Sequence, residues 1–513
     1  MKNLILTCIV SICSIIICEA DTIYVTQTGA GSLNGSSWAN AASGTNLQNI
    51  IDSANSGDEI WVACGTYTPS LVGNRAISYS MRNNVAIYGG FQGTETSLPE
   101  RNFSCGSCSI LSGEIGIPGD NTDNTFTIIE NVDLNDTAIL DGFVISDAND
   151  DRSITNSGQG LGGGMHNNGL GATGLCSPTI RNCIFSNNSA GFGGGAFNNG
   201  YNGGNSEPNY INCVFYQNHA TIAAGGMDSY GVNGNASPTL VNTLFYENTS
   251  DNNVGAMYAW GGNANGNSHP TLINCAFINN HANNGYAGAF IADNRDTTGG
   301  AASGSSSVTL QNCIVWGNTS TTIAPQFFVN GTADVFATYS DIDLTGQTVP
   351  HIISGSGTGN ITQNPQFINI NNPQGGDSCW FTSDDGLQFQ SSSPCIDAGI
   401  NNNIYSTDIA GNDRISNSQV DIGLYEFNEA LNVNQFSQSV AVIVAPNPFN
   451  NYINLYNILE EDLIVLYNTL GQQIECRSIY NQNTMQKTLY IENVKSGVYF
   501  IKTKRKIIRI IKQ

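Results

Sequence analysis

One pattern of alternating apolar and polar positions recurs five times between Pro178 and Asn318. Its first copy, at 178–188, reads Pro-Thr-Ile-Arg-Asn-Cys-Ile-Phe-Ser-Asn-Asn. Alternation places Cys183 and Phe185 on one side and Ile184 on the other, which is typical of a β-strand. The fifth residue of every copy is an asparagine, and the spacings between copies are 30, 30, 32 and 38 residues, at Asn182, Asn212, Asn242, Asn274 and Asn312. A period in this range indicates a solenoid.

Glycine clusters separate the copies, as at 162–164, 193–195 and 225–226, and they favour tight turns over helices. Because one short strand pair cannot bury its apolar face, we predict that successive copies stack as coils about 4.8 Å apart. Equivalent residues then form a cysteine/threonine column, a phenylalanine column, and an asparagine column at left-handed bends. The predicted fold is all-β, a right-handed parallel β-helix whose handedness follows the general crossover rule.

The start of the chain has the features of a secretory signal peptide. In residues 1–20, Lys2 precedes an apolar run, and Cys-Glu-Ala at 18–20 forms a small-residue cleavage site. No later stretch is long and apolar enough to span a bilayer. We therefore expect an exported protein without a transmembrane segment.

Cysteine usage does not predict a complete disulfide framework. Cys8, Cys13 and Cys18 leave with the signal peptide, so 11 of the 14 cysteines remain, which is an odd number. The cysteines of the repeats are expected to be buried reduced thiols. The pairs that could be bridged are Cys379 with Cys395, or Cys105 with Cys108.

Charge is distributed unevenly along the mature chain. Residues 21–476 contain 7 Arg, no Lys and 38 acidic residues, for a formal net charge of −31. Residues 477–513 contain 6 Lys, 3 Arg and one Glu, for a net charge of +8. Because the acidic body repels nucleic acids and anionic membranes, we expect neither as a partner. We also expect a monomer.

The pattern divides the mature chain into four segments. Residues 21–160 are expected to form an N-terminal cap and the first coils, and residues 161–427 the β-helix repeats and C-terminal closing coils. Residues 428–444 are polar and predict a linker, and residues 445–513 predict a separate compact domain.

Two stretches of the body resemble known exported proteins. Gly-Ser-Ser-Trp at 35–38 with Gly-Asp-Glu-Ile-Trp-Val at 57–62 resembles the opening of pectate-lyase-like β-helix proteins. The ordered motifs at 364–367, 393–399, 408–414 and 420–426 resemble the C-terminal end of choice-of-anchor surface proteins common in Bacteroidetes. This resemblance implies the fold and gives no activity.

The C-terminal segment carries Asn-Pro-Phe at 447–449, Leu-Gly at 470–471 and Ser-Gly-Val-Tyr-Phe at 496–500. In this order the motifs resemble the type A sorting domain of type IX secretion, a small Ig-like β-sandwich. The resemblance implies recognition by the secretion machinery, removal of the tail, and release or anchoring at the cell surface. The alternative is an ordinary adhesive β-sandwich.

The strand after each glycine cluster carries the candidate binding residues. Alternation points the first residue of each strand inward, at Met165, Ala196, Met227 and Met257. The outward positions form two columns, which are His166, Phe197, Asp228, Tyr258 and Ile291, then Asn168, Asn199, Tyr230, Trp260 and Asp293. Exposed aromatic rings beside carboxylates and amides suit the C–H faces and hydroxyls of sugars. We predict an exposed glycan-binding face formed by Phe197, Asp228, Tyr230, Tyr258 and Trp260; the alternative is a solenoid surface without a ligand.

The sequence favours a binding protein over an enzyme, so no catalytic residue is assigned. A polysaccharide lyase of this fold needs a Lys or Arg base, but the body has no lysine and its arginines are scattered. The combined motifs of polygalacturonases are also absent. The alternative is a polysaccharide-degrading enzyme with Asp228, Asp293 and His166 as candidates. The two aspartates lie two coils apart, ~10 Å or more, which is long for a hydrolytic pair.

No organic cofactor is expected, and the sequence gives two segments that could gather calcium ligands, at 120–123 and 147–151. Asp147, Asn149 and Asp151 could supply oxygen ligands to a structural Ca²⁺ ion. The segment does not follow the EF-hand pattern, because Arg152 stands at the position of its glycine.

Overall fold

The computed structural model describes residues 20–70, 73–101, 108–154, 159–300, 302–321, 324–347, 357–428, 443–456, 464–481, 486–491, 494–503 and 507–513. The chain divides into two compact units, residues 1–429 and residues 430–513. The predicted signal peptide up to residue 19 and residues 429–442 of the predicted linker lie outside the described residues.

In the described part of the first unit, strands of successive coils pair in parallel and form four sheets. Sheet 1 contains Thr22–Thr26, Ala42–Ser43, Glu59–Ala63, Ala86–Phe91, Ile139–Asp141, Thr179–Arg181, Asn205–Ser206, Asn209–Ile211, Asn235–Ala236, Thr239–Val241, Asn267–Ser268, Thr271–Ile273, Ser305–Gln311 and Asp334–Thr338. Sheet 2 contains Gly65–Tyr67, Ser109–Ser112, Val144–Ser146, Ile184–Ser186, Val214–Tyr216, Leu244–Tyr246, Ala276–Ile278, Ile314–Trp316 and Asp341–Ile342. Sheet 3 contains Ile129–Val132, Met165–Asn168, Ala196–Asn199, Met227–Tyr230, Met257–Trp260, Phe290–Asp293 and Phe327–Asn330. Sheet 4 contains Ser189–Phe192, His219–Ala223, Thr249–Ser250, His281–Ala282 and Thr319–Ser320. The predicted parallel β-helix is confirmed.

Asparagines make the bends between the sheets. The fifth residue of each repeat has a left-handed backbone, with φ from +48° to +53° at Asn182, Asn212, Asn242, Asn274 and Asn312. A second asparagine column is buried and joins neighbouring coils through side-chain amides, with Asn218 accepting from Asn188 at 3.0 Å and donating to Asn248 at 3.0 Å. These bonds satisfy buried polar groups that would otherwise destabilise the bends.

Aromatic and sulfur columns fill the interior. Phe185, Phe215, Phe245 and Phe277 stack with centroids 4.7–4.8 Å apart. The N-terminal end holds the helix Leu47–Ser53, whose Leu47 and Ile51 join the same core. The short 3₁₀ turns are Trp38–Asn40, Gly44–Asn46, Leu98–Glu100 and Asn121–Asp123.

The predicted cysteine column is present, but both predicted bridges are wrong. Buried free thiols stack with Thr243 at Cys183, Cys213, Cys275 and Cys313. Burial raises the pKa of the Cys183 thiol well above its usual value, which keeps the thiol protonated. Cys108 is bonded to Cys64, so Cys105 is not its partner, and Cys395 is a free thiol. Long-range folding decided these pairings, which spacing along the chain does not show.

Residues 357–428, here the cover segment, differ from the predicted closing coils. Their described structure contains isolated bridges and no strand. Leu387, Phe389 and Leu424 pack on the outer face of sheet 2, against residues such as Val214 and Leu244. Sheet 2 is apolar on both faces, so its outer face needs this cover.

A fully buried arginine ties the cover segment to a bend of the β-helix. Arg414 donates from Nη1 to the carbonyl of Leu424 at 2.9 Å, and from Nη2 to the carbonyl of Gly423 at 2.7 Å. The same Nη2 donates to Oδ1 of Asn242 at 3.0 Å. A repeated bend asparagine thus serves as the attachment point.

The second unit is the predicted Ig-like β-sandwich of antiparallel strands. One sheet contains Ile443–Ala445, Tyr452–Tyr456, Arg477–Asn481 and Gln486–Tyr490. The other contains Val465–Asn468, Gln473–Ile474, Gly497–Lys502 and Ile507–Lys512. Ile453 and Leu455 from the first sheet pack against Leu466 and Ile501 from the second.

Candidate functional site

The register of sheet 3 agrees with the predicted columns. Met165, Met227 and Met257 point into the core. The first outward column runs through paired residues Glu130, His166, Phe197, Asp228, Tyr258, Ile291 and Phe328. The second runs through Val132, Asn168, Asn199, Tyr230, Trp260, Asp293 and Asn330.

The prediction that the first column is exposed is wrong. His166 and Asp228 are 0% exposed, Phe197 is 2% exposed and Tyr258 is 6% exposed. In the second column, Tyr230 and Trp260 are half-buried.

The bends that lead into sheet 3 cause this burial. Small residues of these bends, including Ala224, Val254 and Ala287, pack beside Tyr258. Glycine permits the close passage of the bends, because a Cβ on Gly195 would lie 2.6 Å from the carbonyl oxygen of Gly226. Period-2 alternation gives the direction of a side chain but not what lies above it.

A cleft of about 400 Å³, here the aromatic cleft, opens on this face. Five aromatic residues line it, namely Phe192, Phe197, Tyr201, Tyr230 and Trp260, together with Ile154, Leu161, Asn199 and Thr297. The ring of Tyr230 lies 5.8 Å from Phe197, 5.7 Å from Tyr201 and 5.3 Å from Trp260. Three of the five predicted ligand-binding residues therefore share one cleft. Asp228 and Tyr258 do not line it.

Tyr201, which lies just past the strand Ala196–Asn199, was not among the predicted residues. Its backbone N–H donates to Oδ1 of Asn199 at 3.0 Å, which holds the turn that carries its ring. An aromatic residue in a glycine-rich turn beside the candidate strand was the available signal.

The carboxylate of Asp293 is bonded to residues around the cleft and is therefore not free for catalysis. Its oxygens accept hydrogen bonds from the Arg295 side chain at 2.7 Å, from Tyr258 Oη at 2.9 Å and from Asn330 Nδ2 at 3.0 Å. The carbonyl of Arg295 in turn accepts from the Trp260 indole N–H at 3.0 Å. Asp293 thus positions Trp260, and the structure disfavours it as a catalytic acid or base.

Asp228 is buried between Phe197 and Tyr258 in its column. Neither of its carboxyl oxygens has a hydrogen-bond partner among the described residues. Burial raises the pKa of Asp228 well above its usual value. The group is therefore an uncharged carboxylic acid beneath the aromatic cleft.

His166 faces the neighbouring coil on the other side of Phe197. Its Nδ1 lies 3.0 Å from Oε1 and 3.1 Å from Oε2 of Glu130, and its ring makes an edge contact with Phe197 at 5.5 Å. His166 and Asp293 flank the cleft from different coils, so the three catalytic candidates do not meet at one point.

The three calcium candidates have protein partners. Asp151 pairs with Arg75 at 2.9 Å, Asp147 accepts from Ser146 Oγ at 2.6 Å, and Asn149 Nδ2 donates to a backbone carbonyl. In the described ranges, no group of three or more His, Cys, Asp or Glu side chains could hold a metal ion. The calcium site stays a prediction.

The first unit is a β-helix with an aromatic cleft on one face. Residues 443–513 match the family model of the secretion system C-terminal sorting domain. The protein is therefore a type IX secretion substrate that is exported to the cell surface or released. Within the described part of the chain, no helix is long and apolar enough to cross a membrane.

Comparison with solved structures finds distant similarity to two carbohydrate-active enzymes. The pectate lyase Pel9A has 14% identity and a TM-score of 0.43, over 80% of this chain and 96% of that chain. A 1,3-alpha-1,4-beta-D-galactose-4-sulfate-3,6-anhydro-D-galactose-2-sulfate 4 galactohydrolase has 13% identity and a TM-score of 0.23, over 64% of this chain and 75% of that chain. No curated protein sequence matches this chain. At these values the two enzymes assign no activity to it.

Proposed function

We propose that this exported protein binds a carbohydrate in the aromatic cleft. The observation that carries the proposal is that Phe197, Tyr230 and Trp260, from three successive coils, line one cleft of about 400 Å³. That volume lies within the ~300–1,000 Å³ range of ligand sites. Aromatic rings in such a cleft offer flat apolar surfaces to the C–H faces of a sugar.

The polar groups of the cleft also suit a sugar. The hydroxyls of Tyr201 and Tyr230 have no hydrogen-bond partner among the described residues. Burial raises the pKa of Tyr230 to about 12, so this hydroxyl keeps its proton at neutral pH and can donate to a ligand oxygen. The indole N–H of Trp260 is already bonded to Arg295, which fixes the ring before a ligand arrives.

The alternative function is a polysaccharide-degrading enzyme, and the uncharged Asp228 is the observation that favours it. A general acid at neutral pH needs a raised pKa, and Asp228 has one. Two observations count against the alternative. Asp228 is fully buried and outside the cleft lining, and Asp293 is engaged by Arg295, so a second free carboxylate is missing from the described site.

A polysaccharide panel tests the proposal. The purified protein is run by affinity electrophoresis in gels that contain neutral or acidic plant and algal polysaccharides, and each mixture is assayed for new reducing ends. Trp260→Ala should weaken retention about 30-fold, the effect of losing one well-packed anchor of roughly 2 kcal/mol. The matched control is Tyr286→Ala, which removes another partly exposed aromatic ring of the same unit outside the aromatic cleft.

Each outcome has a defined meaning. Retention that Trp260→Ala weakens about 30-fold and Tyr286→Ala preserves supports carbohydrate binding in the cleft. Retention that both variants preserve, or no retention on any polysaccharide, refutes it. New reducing ends that disappear in Asp228→Asn would establish the enzymatic alternative.

A further inference from the structure

A second cleft, here the polar cleft, opens at the N-terminal end of the same face. It has a volume of about 250 Å³, and its lining includes Arg75, Phe126, Glu130, Arg152 and Gln159. The described stretches 152–154 and 159–161 contribute residues to both clefts. Arg152 and Gln159 line the polar cleft, whereas Ile154 and Leu161 line the aromatic cleft.

The β-helix register sets the separation of the two clefts. Glu130 pairs with His166, and His166 pairs with Phe197, so two coil steps, about 10 Å, separate the strands of Glu130 and Phe197. Two further steps lead to the strand of Trp260, for a total span of about 19 Å. Ile154, which is 42% exposed, offers an apolar contact between them.

The charges beside the polar cleft are paired within the protein. Arg152 donates to both oxygens of the buried Asp150 at 2.7 Å, and Arg75 pairs with Asp151 at 2.9 Å. The two guanidinium groups lie 4.2 and 4.3 Å from the centroid of the Phe126 ring. The cleft and its surroundings thus contain three carboxylates, those of Asp150, Asp151 and Glu130. Only two guanidinium groups, those of Arg75 and Arg152, balance their charge. The excess of negative charge disfavours an anionic ligand.

Glu130 and its partner His166 have hydrogen-bonding atoms that no described residue of the protein engages. The Glu130 carboxylate is 37% exposed and is held on one side by Nδ1 of His166. Its remaining lone pairs can accept hydrogen bonds from ligand hydroxyls. The Nε2 atom of His166 is buried and has no partner among the described residues. Because His166 is fully buried and lines neither cleft, Glu130 is the member of this pair that can contact a ligand.

We propose that the polar cleft is a second subsite for the ligand of the aromatic cleft, and that this ligand is an uncharged, hydroxyl-rich glycan chain. The inference rests on the proposed function. One end of the chain stacks on Tyr230 and Trp260, and the other end donates hydroxyl protons to Glu130. Paired guanidinium–carboxylate groups suit such a ligand, because neutral hydroxyls can donate to and accept from them without adding net charge.

A chain-length series tests the proposal with the intact protein. Neutral oligosaccharides of two to six sugar units, prepared from the polysaccharides of the panel, are titrated by calorimetry, with oligogalacturonates of equal length as anionic probes. Affinity should rise about tenfold once the chain is long enough to reach Glu130, the effect of one charge-assisted hydrogen bond. Glu130→Gln should remove that gain and leave the binding of short chains unchanged. Glu247→Gln, a matched carboxylate on another face, should retain the gain.

The outcomes separate this proposal from the proposed function. A length gain that Glu130→Gln alone removes, with neutral chains bound at least tenfold more tightly than oligogalacturonates, supports it. Binding that depends on Trp260 but not on length or on Glu130 overturns the second subsite and leaves the proposed function standing. A preference for the anionic chains overturns the charge argument. Absence of binding to every probe refutes the proposed function and this inference together.

Discussion

Replacing Asp228 with asparagine should make the stability of the protein less sensitive to alkaline pH. Asp228 is fully buried, and neither carboxyl oxygen has a partner among the described residues. Asparagine has nearly the same shape but cannot ionise. The variant therefore removes the titration of the group and leaves the packing between Phe197 and Tyr258 in place.

The sign and size of the effect follow from linkage between ionisation and folding. Burial raises the pKa of Asp228 in the folded protein above its value of about 3.9 in the unfolded chain. The contribution of the group to stability is complete below the unfolded pKa and is lost as the pH rises through the folded pKa. Between the two pKa values, stability falls by about 1.4 kcal/mol per pH unit. The free energy of unfolding of wild type relative to Asp228→Asn should fall with that slope.

Urea unfolding followed by fluorescence measures this difference at a series of pH values from 5 upward. Taking the difference between the two proteins cancels the titration of every other group. The buried amide of the variant adds a cost that does not depend on pH, so the slope is the quantity to compare. Phe197→Leu is the control, since it alters the same column without removing an ionisable group. A flat difference between wild type and Asp228→Asn would refute the conclusion that Asp228 is an uncharged acid in the folded protein.

Three further predictions concern the cover segment and the metal site. Arg414→Met should destabilise the protein by ~3–5 kcal/mol, because it leaves the carbonyls of Gly423 and Leu424 and Oδ1 of Asn242 without their buried donor. Thermal unfolding and limited proteolysis of residues 357–428 would show the loss, and wild-type proteolysis kinetics would contradict it. Burial raises the pKa of Asp385 and Glu426 to about 7 and of Asp421 to about 6. Their contribution is complete below the unfolded values and is lost as the pH rises through 6 to 7. The protection factors of the cover-segment amides, corrected for the intrinsic pH dependence of hydrogen exchange, should therefore fall between pH 5 and pH 8, and unchanged protection factors would count against this. If Asp147, Asn149 and Asp151 bind structural calcium, chelation should lower Tm and added Ca²⁺ should restore it; an unchanged Tm removes the hypothesis.

The features that repeat along the chain could be predicted from the sequence. Asn182 and its equivalents predicted left-handed bends, and Phe185 and its equivalents predicted an aromatic stack. Both are present. In a solenoid each residue contacts its own equivalents in the next coil, so a one-dimensional pattern specifies three-dimensional neighbours. The same reasoning placed Tyr230 beside Trp260, at a centroid distance of 5.3 Å.

Features that depend on contacts between different segments could not be predicted in this way. The direction of Asp228 was predicted, but its burial results from other parts of the chain that pack over sheet 3. A signal for the cover segment was present and missed. In the repeats, Val214 and Leu244 point away from the interior, and such apolar residues on both faces indicate a strand buried on both sides.

The two clefts combine a regular floor with irregular walls. Floor residues such as Tyr230 and Trp260 come one per coil, and the hydrogen-bonded register of sheet 3 fixes their spacing. Part of the wall comes from connections, because Ile154 and Thr297 lie outside the paired strands. The longest spacing of the repeats, 38 residues between Asn274 and Asn312, includes a long connection after Asp293, and Thr297 in that connection lines the aromatic cleft. Insertions of this kind can reshape a cleft without disturbing the stacked coils. For the carbohydrate ligand proposed above, specificity should therefore depend on the connections at residues 152–154, 159–161 and 294–300, while the stability of the protein depends on the repeats.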